Sequence, residues 1–139
     1  RATRNIRAIF PNTPQHTIRL KDAYDGIEED RLNSIILDLP EPWRLVSSAA
    51  EALLPGGILL CYLPTVLQIH HLVEILNQQA QFGLIHVSEV LERDWHVTAR
   101  SVRPEHRMVA HTGFIVTARR CSIVHVDSQT GDGDASENL

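Results

Sequence analysis

Two short apolar runs with a helix-patterned segment between them constrain the fold of this chain more than any other feature. Residues 34–39 (SIILDL) and 58–63 (ILLCYL) are continuous rather than alternating in hydropathy. Runs of this length mark strands buried on both faces, as in a parallel sheet. Between them, "WRLVSSAAEALL" puts Leu45, Val46, Ala49, Ala50, Leu53 and Leu54 on one helical face. Pro55-Gly56-Gly57 follows as a helix stop. Strand, helix and strand in succession form a crossover unit, the connection that parallel strands require.

The flanking segments extend this pattern. Residues 1–10 carry Ala2, Ile6, Ile9 and Phe10 at helical spacing, and "FPNTPQ" breaks the chain after them. "HTIRL" alternates as a strand ending at Lys21-Asp22, and "DAYDGIEEDRLN" reads as a loop. "PTVLQIHHLVEILNQQAQF" predicts a second amphipathic helix with Val66, Ile69, Val73 and Leu76 inward, stopped at Gly83. Two longer strand-like segments close the order, "LIHVSEVLERDWHVTARSV" and "TGFIVTARRCSIVHV". With no helix between them they predict an antiparallel hairpin at one sheet edge. The expected class is α/β: a mostly parallel sheet with helices on both faces and a closing hairpin. Residues 1–126 read as domain, and 127–139 as a disordered acidic tail.

Bulk properties exclude several classes. The 139 residues suffice for one domain with a core. No apolar run approaches the roughly 20 residues of a membrane span. "RATRNIRAIF" has no signal-peptide pattern, lacks an initiator Met and starts in helix-like sequence, so the chain is expected to be the carboxyl part of something longer. The net charge is −4, but the tail holds Asp127, Asp132, Asp134 and Glu137 and no Lys or Arg. The remainder is neutral, which does not announce a nucleic-acid partner. Cys61 and Cys121 lack a CxxC spacing and read as small buried hydrophobes, in keeping with a reducing cytoplasm. His70-His71 has no further ligands at matching spacing, so no metal site is expected.

In an open α/β sheet, ligands bind beyond the carboxyl ends of the strands. Three such ends carry polar groups here: Lys21-Asp22, Asp38 and Tyr62. Asp38 stands where an apolar run stops. An unpaired buried charge is costly, so this carboxylate either caps the next element or faces a ligand. Pro40 and Pro42 stiffen the loop behind it, and Trp43 either walls a pocket or packs. Thr65 and Gln68 form a capping box at the second helix. Arg103, His106, Arg107 and His111 cluster in sequence and suit either phosphate contact or a subunit interface.

The segments "LDLPEPW", "LLPGGILLCYLPTVLQ", "EVLERDWHV", "VRPEHRM" and "HTGFIVTARR" occur in this order. As a set, over residues 1–121, they resemble the carboxyl part of the tRNA adenine-N1 methyltransferases. That resemblance implies a Rossmann-like class I methyltransferase sheet whose N-terminal strands are missing here, with residues 17–22, 34–38 and 58–62 as its third, fourth and fifth strands. It implies transfer of a methyl group from S-adenosyl-L-methionine to N1 of T-loop adenine 58 of tRNA, by a homotetramer. By the same resemblance Asp38 and Tyr62 are catalytic, and Asp22 and Asp38 bind the cofactor. Thr65 and Gln68 sit where that family's loop meets the substrate, and Arg103, His106 and His111 are the further candidates for substrate contact, with a subunit interface as their alternative. The family's glycine-rich cofactor loop is not found: the only Gly-x-Gly is Gly131-Asp132-Gly133 in the tail. Two alternatives stand beside the enzyme: a non-catalytic tRNA-binding or partner subunit of such an enzyme, and another class I methyltransferase.

Overall fold

The crossover unit read from the sequence is the centre of the molecule. The computed structural model describes residues 2–10, 16–107 and 111–122. Strand β1 (Leu32–Leu37) leads through a 3₁₀ turn at Pro42–Leu45 into helix α2 (Val46–Ala52), and the chain returns as β2 (Leu53–Leu63), parallel to β1. Helix α3 (Val66–Gln78) follows, then β3 (Phe82–Glu89), β4 (Trp95–Thr98), β5 (Ser101–Pro104) and β6 (Phe114–Arg120). Helix α1 (Ala2–Ile9) precedes them, as predicted.

The main sheet has the order β1-β2-β6-β3, with β6 antiparallel to both neighbours. The last strand therefore slots between β2 and β3, so the antiparallel pair β6–β3 closes one edge of the sheet as expected, and three of the four strands share one direction. The first of the two long strand-like segments divides. Its beginning is β3, and its remainder is the separate two-stranded ribbon β4–β5. The expected strand beyond Ser122 and the tail at 127–139 lie outside the described residues.

One face of the sheet is covered. Ile35 and Leu37 of β1, Leu59, Cys61 and Leu63 of β2, and Val116 and Ala118 of β6 meet Val46, Ala49 and Ala50 of α2 and Leu72 and Leu76 of α3. Ala49 and Ala50 have no accessible surface. Their small size lets α2 approach the strands closely. Each fully buried leucine, such as Leu59, Leu63, Leu72 or Leu76, contributes about 1.5–3 kcal/mol.

Several expectations are corrected. Helices α2 and α3 lie on the same face of the sheet, so β1 is buried on one side only: Ile36, between buried Ile35 and Leu37, is 71 % exposed. The inward stripe of α3 runs through Leu72 and Leu76, with Ile69 and Val73 half-buried, whereas Val66 is exposed at the helix start. Residues 16–20 form no strand, since no strand among the described residues lies alongside to take up their backbone groups. Leu53 and Leu54 belong to β2 rather than to the helix, and the two glycines form an irregularity within that strand, where the pairing jumps from Leu32–Leu53 to Ser34–Ile58. Gly56 has a φ of 83°, and a Cβ on Gly57 would lie 2.8 Å from the Leu54 carbonyl oxygen. Cys61 is buried as expected, while Cys121 sits half-exposed just past β6; both are free thiols.

Candidate functional site

The site is built at the carboxyl ends of β1 and β2. Leu37 pairs with Cys61, so one step further along these parallel strands Asp38 stands beside Tyr62. Both turn away from the packed face, because side chains alternate along a strand. Asp38 is exposed and makes no hydrogen bond or ion pair among the described residues. The following 3₁₀ turn begins at Glu41 without a side-chain cap, so Asp38 does not cap it. Asp38 therefore stands at the end of β1 as an exposed carboxylate.

The loop behind Asp38 is held from both sides. The Gln68 Nε2 amide of α3 donates to the Pro40 carbonyl at 3.0 Å. On the other side the Glu41 N–H donates to the Tyr24 hydroxyl at 3.1 Å, and the Arg44 guanidinium lies 4.1 Å above the Tyr24 ring. Pro42 is fully buried. Trp43 packs partly against the core and meets the His71 ring edge-on at 4.6 Å, so it acts in packing.

The Thr65 half of the capping box at α3 is formed. Thr65 Oγ1 accepts the Gln68 N–H at 3.3 Å and donates to Gln68 Oε1 at 2.7 Å. Thr65 holds the Gln68 side chain, whose amide braces the loop that carries Asp38. Asp22 caps the 3₁₀ turn at Ala23–Asp25, its Oδ1 accepting the Tyr24 N–H at 3.0 Å. It reaches the site through Tyr24 and not from a strand end. Nearby, Lys21 and Arg19 pair with Glu28, and these cations hold the Glu28 carboxyl below its ordinary range, Lys21 first.

The Tyr62 hydroxyl donates to the Thr112 carbonyl. His111, next to it, has Nδ1 2.9 Å from Glu89 Oε1 at the end of β3, and Nε2 against the Pro64 carbonyl. Its ring leans on Phe114 at 4.9 Å. The sequence cluster of Arg103, His106 and His111 is therefore divided. Arg103 stands on the ribbon opposite His96, with its Nη1 atom buried and unpartnered. His106 is exposed, without a hydrogen bond or ion pair among the described residues. Tyr24, Pro64 and Glu89 belong to the site although the sequence did not single them out. Glu89 lies in the quoted motif "EVLERDWHV", but nothing local in sequence joins it to His111, 22 residues away.

Asp38 and the second oxygen of Asp22 remain free to accept from an amino group, and no glycine-rich cradle occurs in residues 1–126.

The fold and this strand-end carboxylate define a class I methyltransferase sheet. A SAM-dependent O-methyltransferase from Thermotoga maritima superposes with a TM-score of 0.71 at 33 % identity, over 76 % of this chain and 40 % of that one. The tRNA (m1A58) methyltransferase TrmI from Aquifex aeolicus gives 0.62 at 30 %, over 69 % of this chain and 39 % of that one. The chain belongs to the family described as tRNA methyltransferase complex GCD14 subunit, which matches residues 13–113. It is 38 % identical over 102 residues to the tRNA (adenine(57)-N(1)/adenine(58)-N(1))-methyltransferase TrmI of Methanocaldococcus jannaschii, covering 73 % of this chain and 36 % of that protein. It is 37 % identical over 121 residues to the tRNA (adenine(58)-N(1))-methyltransferase TrmI of Thermus thermophilus, covering 86 % of this chain and 46 % of that protein. The chain thus spans less than half the length of these relatives.

Proposed function

We propose that this chain supplies the substrate side of an S-adenosylmethionine-dependent tRNA (adenine-N1)-methyltransferase, acting at adenine 58, the position named for its relatives. One observation carries the reading: an exposed, unpartnered Asp38 on a loop braced by Gln68 and Tyr24, beside Tyr62. To expose N1, the adenine must leave its stack. The Asp38 carboxylate then accepts a hydrogen bond from the exocyclic N6 amino group and offsets the positive charge that develops on the ring as N1 is alkylated. Tyr62 offers its ring as a wall for the flipped base. Asp22 and Asp38 offer acceptors to the cofactor's adenosine, and S-adenosylmethionine, when bound, supplies the electrophilic methyl group. Arg103 and His106 remain as cationic or hydrogen-bonding groups for the tRNA backbone.

Residues 1–126 then belong to one methyltransferase domain. The ribbon β4–β5 bears exposed Trp95, Val97 and Val102, an apolar surface that suits contact with another copy in a homo-oligomer such as a tetramer. Two free thiols and work on tRNA suit a reducing cytoplasm. No helix among the described residues is long and apolar enough to cross a membrane.

The test is methyl transfer from labelled S-adenosylmethionine to unmodified tRNA by the full-length protein, with the product position mapped. Asp38→Ala should lower the rate roughly 10²–10³-fold while the fold is retained. Unchanged transfer in the variant removes Asp38 from the chemistry. No transfer by the wild type moves the reading to a non-catalytic tRNA-binding partner subunit.

A further inference from the structure

His111 makes two contacts that a neutral imidazole cannot satisfy together. Its Nδ1 faces a carboxylate oxygen and its Nε2 faces a backbone carbonyl. Both are acceptors, so both ring nitrogens must carry protons. A neutral histidine has only one N–H. The contacts also join three separate places: the end of β3 through Glu89, the turn between β2 and α3 through Pro64, and the segment leading into β6.

The same segment is tied down at the next residue. The Thr112 carbonyl accepts the Tyr62 hydroxyl, and Thr112 Oγ1 donates to the Val90 carbonyl at 3.5 Å. Gly113 then turns with a φ of 121°, close against the Tyr62 ring. Residues 111–113 therefore form a strap over the end of β2, and His111 is its charged anchor.

We propose that His111 is a positioning residue that, held as an imidazolium between Glu89 and the Pro64 carbonyl, fixes the strap against Tyr62 and so sets that ring beside Asp38. The role rests on the functional reading above for its catalytic consequence, but not for its geometry. It also departs from the phosphate-contact role expected for His111, since both ring nitrogens are already engaged.

The groups facing His111 among the described residues are Glu89 from β3, the Pro64 carbonyl from the β2–α3 turn and the Phe114 ring from β6. Tyr62 of β2 meets its neighbour Thr112. The Glu89 hydrogen bond, then the Pro64 carbonyl, raise the His111 pKa above the ordinary histidine value. A raised folded-state pKa means that the anchor is fully made below the ordinary value of about 6.5 and is lost as pH climbs through the folded value.

The experiment uses the full-length protein with ¹⁵N-labelled histidine. Both His111 ring nitrogens should show protonated shifts that persist to a midpoint above the ordinary histidine value of about 6.5, falling toward that value in Glu89→Gln. In His111→Ala the Tyr62 ring signals should move. Methyl transfer should lose roughly 10–10²-fold in kcat with KM for tRNA little changed. His111→Arg, a permanently charged donor, should recover part of kcat and remove the alkaline loss.

A midpoint at or below the ordinary histidine value, indifferent to Glu89→Gln, overturns the proposal. So does a His111→Ala defect confined to tRNA affinity with a salt slope reduced by about one, the mark of a phosphate contact. If the wild type transfers no methyl group to tRNA while the ring nitrogens and Tyr62 respond as stated, the functional reading falls and the positioning of Tyr62 stands.

Discussion

Replacing Gly113 with alanine tests whether the strap and Tyr62 are one unit. Two separable costs arise. The backbone φ of 121° lies where residues with a Cβ are strained. That cost is of order 1–3 kcal/mol. In addition, a Cβ would lie 2.5 Å from Tyr62 Cζ and 2.6 Å from Cε2, inside van der Waals contact. The ring cannot stay where it is, and its hydroxyl must leave the Thr112 carbonyl. Overpacking of this kind costs about 1–3 kcal/mol. Gly113→Ala in the wild-type background should therefore destabilise by about 2–6 kcal/mol. In a Tyr62→Ala background only the backbone cost remains, so the coupling between the two sites should be about 1–3 kcal/mol. Urea unfolding of the four proteins of this cycle, read as the shift in ΔG at constant m-value, measures it. Equal costs of Gly113→Ala in both backgrounds would refute the close approach and, with it, the claim that the strap sets Tyr62.

Other expectations follow from single contacts. Leu72→Ala should cost about 2–5 kcal/mol because the side chain is fully buried, whereas Val66→Ala, on the same helix but 66 % exposed, should stay within about 0.5 kcal/mol in the same urea assay. Thr65→Ala removes the cap of α3 and should cost about 1 kcal/mol, with Thr65→Ser close to neutral by the same measurement. Burial pushes the Cys61 thiol up to about 12, so at pH 8 only about 10⁻⁴ of it is thiolate; a thiol reagent should label half-exposed Cys121 first and Cys61 only on unfolding. Equal labelling rates in the native protein would contradict the packing of β2.

Much of this molecule is legible in local sequence because its elements depend on local period. The apolar runs at 34–37 and 58–63, the small-residue face of α2 and the Thr65–Gln68 box all declare strand, helix or cap within a few residues. Asp38 is legible for the same reason: a carboxylate ending an apolar run needs an explanation that neighbours alone supply. The parts that escape are those whose causes are distant. Residues 16–20 alternate like a strand, but a strand exists only where another gives it a ladder. Ile36 reads as buried, yet burial depends on what covers the second face.

The site divides in the same way. The amino-acid sequence by itself determined the crossover unit, the stiff proline loop and the carboxylate that ends β1, since hydrophobic period and backbone restriction act over a few residues. Only the tertiary structure decided that β6 enters between β2 and β3, that Tyr24 and Gln68 brace the loop from opposite sides, and that His111 leaves the neighbouring Arg103 and His106 to join Glu89 and Pro64. The side-chain contacts among these join groups 17 to 47 residues apart. Their energies depend on distances of a few ångströms that no local pattern encodes, because they are settled by how the sheet is ordered and which strand ends it brings together.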